Sequence, residues 1–175
     1  MRHTLHYSLL ALFIVVCDQV AKRWAYMRLR LGSDISVIDG FFKLSYTENP
    51  GIAFGLFSDS QHILKIWLLA AISIIAIGLV VYFAIKSPPD KRLLLIALMF
   101  VLGGVIGNLI DRIVYGVVID FIEFYIGERH WPNFNIADTA ICVGAVLLSI
   151  DILREPKNEA LPVRQDERQE EGASK

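Results

Sequence analysis

Cysteine is scarce in this 175-residue chain. Its two members, Cys17 and Cys142, lie inside apolar runs and read as small buried hydrophobes. That placement argues against a disulfide framework, and two thiols alone cannot build a tetrahedral zinc site. Histidine is sparse too: His3, His6, His62 and His130 are dispersed, and no His-Glu-x-x-His run exists. A zinc protease of that type is excluded. His62 and His130 could meet outside a membrane, but interfacial residues are the simpler reading. There is no Gly-x-Ser-x-Gly elbow and no phosphate-cradling Gly-x-x-x-x-Gly-Lys loop. Charge is limited to 20% of residues and nearly balanced, 17 basic against 18 acidic, which argues against a basic nucleic-acid binder. What charge there is crowds the end, where the stretch from Arg154 reads as a solvated, disordered tail.

Apolar side chains, by contrast, abound. They make up 55% of the chain and mean hydropathy is +0.52, beyond an ordinary soluble domain. A bilayer core of about 30 Å takes about 20 mostly apolar helical residues. Runs over about 63–85, 93–113 and 136–153 meet that need. A fourth, about 7–26, is interrupted by Asp18, Gln19, Lys22 and Arg23. Arg2 and the run Leu9–Val16 look like a signal peptide, but no small-x-small cleavage site follows. Val15-Val16-Cys17 likewise has a bulky residue where a lipidation site needs a small one. The segment is therefore read as a retained span. The expected fold is an all-α membrane protein, four transmembrane helices with a small extracytoplasmic β-sheet or loop subdomain. Residues 1–153 are expected to form one integral membrane domain, and 154–175 a tail on the side of the termini.

The connections carry their own signals. In the 27–62 connection, Ile35–Ile38 and Phe41–Thr47 are β-branched and aromatic, with Asp39-Gly40 between them, which predicts a hairpin. Asn49-Pro50-Gly51 then breaks the chain. The Val114–Asn133 connection holds Tyr115, Phe121, Phe124, Tyr125 and Trp131, an interfacial composition. An even number of spans puts both termini on one side, and the Lys/Arg bias favours the inside only slightly.

Polar residues gather towards one face. At ~1.5 Å per residue, Asn108 lies ~22 Å and Asp111 ~27 Å from Leu93 along the third span. Asp18 lies ~16 Å from Tyr7, in the same far half. Asp138 enters within the first turn of the last span from that far face. A polar helix end explains any one of these, and explains the set poorly. Asn108, Asp111 and Arg112 share a helix face at i, i+3 and i+4. Gly103 and Gly107 form a small-xxx-small pair for close helix approach.

Asp18 has Lys22 four residues on and Asp111 has Arg112 beside it, local cations that favour ionised carboxylates. Asp120 and Asp138 have no such neighbour. Two carboxyls close together in a dry site share one proton, which lets one activate water while the other protonates a leaving amine. Asn135 is placed to cap the last helix. An acidic Mg²⁺ or Ca²⁺ site is conceivable, with Lys22 and Arg112 arguing against it. A proton-coupled transporter should have inverted repeats and midplane acids. A non-catalytic membrane subunit explains the glycines and leaves the carboxylates idle.

Five blocks then line up: Asp18-Gln19-Val20-Ala21-Lys22; Asn49-Pro50-Gly51-Ile52-Ala53-Phe54; the run from Gly103 to Arg112; Gly116-Val117-Val118-Ile119-Asp120-Phe121; and Phe134-Asn135-Ile136-Ala137-Asp138-Thr139. In content and order the chain resembles bacterial lipoprotein signal peptidase, signal peptidase II. It departs at Ala21, where the family has Ser or Thr, at Ile52 for Ala, at Gly55 for Ser and at Thr139 for Ser, and none of these is a carboxylate. The resemblance implies an aspartic endopeptidase of the bacterial inner membrane, with both termini cytoplasmic and the site near the outer face. Its substrate would be a diacylglyceryl-modified prolipoprotein, cut before the lipidated Cys. Asp120 and Asp138 match the family's catalytic pair. Asp18, Lys22, Asn49, Gly51, Phe54, Asn108, Asp111, Arg112 and Asn135 match residues that shape the site or touch substrate. The Asn49–Phe54 loop is expected to clamp over it. The resemblance also implies inhibition by the cyclic peptide globomycin; contact with membrane lipid, no metal, no cofactor, no nucleic-acid partner and a monomer are the further expectations.

Overall fold

The structure is a computed structural model and describes residues 2–51 and 62–154. Phe54, the clamp expected beyond Gly51 and the tail after Arg154 lie outside the described residues. The chain runs α1 (Arg2–Leu29), β1 (Ile35–Ile38), β2 (Phe42–Asn49), α2 (His62–Lys86), α3 (Arg92–Tyr115), β3 (Val118–Ile126), β4 (Arg129–His130) and α4 (Ile136–Arg154).

Among the described residues, three helices are long and apolar enough to cross a membrane, within α2, α3 and α4. This is a membrane protein. Their outward residues fit that solvent: Leu64, Trp67, Ile72, Ile75 and Leu79 of α2 are all exposed. Apolar surface on this scale is foreign to a water-soluble monomer. α1 has 28 residues, enough for ~42 Å of helix.

α3 is the central helix because glycine lets its neighbours come close. A Cβ added at Gly103 would meet Ile14 Cβ of α1 at 2.8 Å, and one at Gly107 would meet Asp18 Oδ2 at 2.6 Å. On the α4 side, a Cβ at Gly104 would strike the Ala137 carbonyl oxygen, and one at Gly144 would lie 2.9 Å from the Ala97 carbonyl oxygen. Small residues thus bring three backbones together in a medium where hydrophobicity does not drive helix association. The contact continues into a core of Ala11, Ala84, Leu95, Leu98, Met99 and Leu102.

The sheet is antiparallel in the order β1-β2-β3-β4. The expected hairpin is present, with Gly40 at φ +77° in its turn. The second connection is more than an interfacial loop, because Val118–Ile126 forms the long strand β3 beside β2. Its first four residues are all buried. A strand covered on both faces reads as a continuous apolar run without alternation. Packing of α1 against the sheet, through Ala25, Leu29 and Phe121, seats it on the helix ends.

Candidate active site

The site grows from three helix segments and one strand pair. Lys22 of α1 is 1% exposed. Its ammonium lies 2.8 Å from Asp18 Oδ2 and 2.9 Å from Asp111 Oδ2, and donates to Asn108 Oδ1 at 2.9 Å. An ammonium has three donors and no acceptor, so all three are used. Asp111, expected to pair with adjacent Arg112, takes its cation from α1 instead. Adjacent helical residues point about 100° apart, so Arg112 cannot follow Asp111 inward. Arg112 turns towards α2, donating to Ser73 Oγ at 3.4 Å. Beside it opens a slot of about 220 Å³ lined by Ile66, Trp67, Ala70, Ile113 and Gly116.

The start of α4 is held from two directions. Asn135 caps it as expected: Asn135 Oδ1 accepts the Asp138 N–H at 2.8 Å, and Asp138 Oδ2 accepts the Asn135 N–H at 3.3 Å. This reciprocal arrangement is a capping box. Asp18 Oδ1 accepts the next free N–H, that of Ala137, at 2.8 Å. Gln19 belongs here too, although the sequence reading gives it no role. Its Nε2, with two N–H groups to share, lies 3.2, 3.1 and 3.0 Å from Asp18 Oδ2, the Gly107 carbonyl oxygen and Asp111 Oδ1. A polar residue beside Asp18 in an interrupted span was the available signal. Asp111 also accepts the Ile119 N–H at 3.0 Å, which fixes where β3 begins.

That strand carries Asp120 into the cluster. Asp120 is opposite Thr47 of β2, and Asn49 lies two residues further on, on the same face. Asn49 Nδ2 donates to Asp120 Oδ2 at 2.9 Å, while its own Oδ1 accepts the Gly51 N–H at 2.8 Å. Gly51 has φ +73°, a value glycine reaches without strain. Asn135 Nδ2 donates to Asp120 Oδ1 at 2.6 Å, and Asn108 Nδ2 donates to Asp138 Oδ1 at 2.7 Å. The carboxyls of Asp120 and Asp138, 18 residues apart, are thereby joined through Asn135. Asp120 is 1% exposed, whereas Asp138 is half-buried. Burial raises the Asp120 pKa to about 6, the Asn49 hydrogen bond pulls it down, and the Asp138 charge pushes it up.

Of the expected site residues, the structure brings together Asp18, Lys22, Asn49, Asn108, Asp111, Asp120, Asn135 and Asp138. Gly51 braces Asn49, and Arg112 faces the slot at the edge. Among the described residues, no group of three or more His, Cys, Asp or Glu is arranged to hold a metal ion.

The profile of the family described as Signal peptidase (SPase) II matches residues 10–154. The chain belongs to the signal peptidase II family. It is accordingly a peptidase. It is 39% identical over 147 residues to the lipoprotein signal peptidase of Syntrophus aciditrophicus, covering 84% of this chain and 91% of that one. Its identity to the lipoprotein signal peptidase of Clostridium tetani is 43% over 142 residues, covering 81% and 88%. A solved structure described as a bacterial membrane enzyme, determined in meso at 2.3 Å, superposes with a TM-score of 0.76 at 32% identity, covering 91% of this chain and 94% of that one.

Proposed function

We propose that this family member is an aspartic endopeptidase that removes the signal peptide of diacylglyceryl-modified prolipoproteins, cutting just before the lipidated Cys. The observation that carries the reading is the Asp120 and Asp138 pair, one from the sheet and one from α4, tied together by Asn135. The names of the relatives supply the substrate class.

In this reading α1 is a fourth span. Two of its charged residues are turned inward, Asp18 and Lys22 being 0% and 1% exposed, while Leu9, Phe13, Val16 and Val20 point outward and Arg23 is exposed near the end of the span. Four spans put both termini on the cytoplasmic side of the bacterial inner membrane and the carboxyls near the outer face. Residues 1–153 then form one peptidase domain, with 154–175 a cytoplasmic tail. A signal peptide arrives as an apolar helix, and the slot beside Arg112 gives a lipid-side approach.

The chemistry divides between unlike environments. Buried Asp120 holds the shared proton, and closing over a substrate excludes more water and favours that form further. Half-buried Asp138 takes a proton from water as the water oxygen bonds to the scissile carbonyl carbon. Asp120 gives its proton to the amide nitrogen as the C–N bond breaks. The proton on Asp138 then returns to Asp120. Asn49, Asn108 and Asn135 hold the carboxyl oxygens through this cycle.

Purified protein supplied with a lipidated prolipoprotein should release its signal peptide, leave the unlipidated form uncut, and be blocked by globomycin. Asp120→Asn and Asp138→Asn should each lower turnover by about 100-fold or more while the protein still folds. Near-native turnover in either variant removes the two-carboxyl mechanism.

A further inference from the structure

A primary amide has an accepting end and a donating end, and a half-turn exchanges them. Asn108 meets Asp138 with its donating end, Nδ2 to Oδ1 at 2.7 Å. After a half-turn, an amide oxygen would face a carboxyl oxygen and the hydrogen bond would be lost. What prevents the half-turn lies on the other side. Asn108 Oδ1 accepts from Lys22 Nζ at 2.9 Å, with a second, longer donor, Asn135 Nδ2, at 3.3 Å. A reversed amide would place its NH₂ against the ammonium. Lys22 cannot turn elsewhere, because its two other N–H groups are taken by Asp18 and Asp111. Lys22 and Asn108 are 1% and 5% exposed, so water does not compete for the contact.

The other two amides of the site are locked differently. Asn135 Oδ1 is held by the Asp138 backbone N–H and Asn49 Oδ1 by the Gly51 backbone N–H. Asn108 alone of the three is oriented by a side-chain charge, which a substitution can remove. We infer that Lys22 is a positioning residue for the peptidase reaction: its ammonium locks the Asn108 amide so that a donor, never a lone pair, faces Asp138. The inference rests on the peptidase reading above. It gives the buried Lys22 a task at the reacting carboxyl that it never touches.

The test uses the full purified chain and a lipidated prolipoprotein. Asn108→Asp keeps the shape of the residue and an acceptor for Lys22, but turns an oxygen towards Asp138. It should cut kcat by about 100-fold while KM moves by less than about threefold and the melting temperature holds. Lys22→Met should cause a comparable loss of kcat in the native background, and almost no further loss in an Asn108→Leu background, where there is no amide to orient. The inference is overturned if Asn108→Asp keeps kcat within about threefold of native, or if Lys22→Met costs as much with Asn108→Leu present as without it. Should Lys22→Met not fold, Asn108→Asp decides alone. Failure of the peptidase reading looks different: the native chain leaves the prolipoprotein intact, or Asp138→Asn still cuts it.

Discussion

Asp18 Oδ1 accepts the backbone N–H of Ala137 at 2.8 Å, so a side chain in the first helix satisfies the opening turn of the last. The same carboxyl binds Lys22. Asp18→Ala therefore leaves a buried ammonium with one carboxylate fewer and a helix end with one acceptor fewer. Breaking a buried pair from one side costs about 3–5 kcal/mol. A lower midpoint is expected in thermal unfolding of the detergent-solubilised protein. An unchanged midpoint would mean that the contact does not hold α4 in place.

Asp120 carries a pH signature. Its pKa is raised from 3.8 to about 6 by burial, against the pull of Asn49 and with the push of Asp138. The folded protein therefore binds this proton more tightly than the unfolded chain. The stability it contributes is fully present below pH about 4 and is lost as pH rises through about 6, amounting to roughly 3 kcal/mol. Asp120→Asn removes that dependence, so the variant should gain stability relative to the native protein between pH 4 and pH 7. Melting curves of the two proteins across that window test it, and parallel curves contradict it. Turnover should fall along an alkaline limb from the same group.

Glycine spacing yields a matched pair of variants. A Cβ at Gly107 would sit 2.6 Å from Asp18 Oδ2 and 3.2 Å from Ala137 Cβ, whereas one at Gly78 meets nothing within 4 Å. Gly107→Ala must push α1 or α4 away from α3, at about 1–3 kcal/mol for an overpacked contact. Activity should fall with stability, because Asp18 and Ala137 both belong to the site. Gly78→Ala should leave melting and turnover alone. Equal behaviour of the two rejects the packing account.

Chelation should be without effect. The place a cation would take between Asp18 and Asp111 is filled by Lys22, and amide nitrogens of Asn49, Asn108 and Asn135 occupy the oxygens of Asp120 and Asp138. Turnover in excess EDTA should match that in its absence. Loss of activity restored by a divalent ion would require a different mechanism.

Much of this was legible in the sequence because the bilayer simplifies the code. The apolar runs place α2, α3 and α4 within a few residues of where they lie. Depth counting brings Asp18, Asn108, Asp111 and Asp138 together, since rise per residue in a helix is constant. The hairpin follows from Asp39-Gly40. Three features were hidden, each for a physical reason. β3 is buried on both faces at its start, so Val118–Phe121 lacks the alternation by which half-exposed strands are recognised. The partner of Asp111 lies in another helix, 89 residues away in the chain, and proximity in sequence suggested Arg112 instead. Gln19 looks like a mere interruption of a span until α3 is seen to surround it. Residue physics also left Asp120 and Asp138 as one candidate pair among several acids, and the family blocks singled them out.

The pairing of β2 with β3 sets Asp120 opposite Thr47, whereas Asp138 is set by the cap of a membrane helix. Two separate layers of the molecule thus each deliver one half of a single chemical device. Sliding the strands by one residue would turn the Asp120 carboxyl to the opposite side of the sheet, while Asp138 stayed where it is. Under the proposed two-carboxyl mechanism, alignment outside the bilayer is therefore as much a condition for activity as insertion into it: a chain with every helix correctly threaded, but its ribbon out of step, is complete in composition and fails to bring the two carboxyls together.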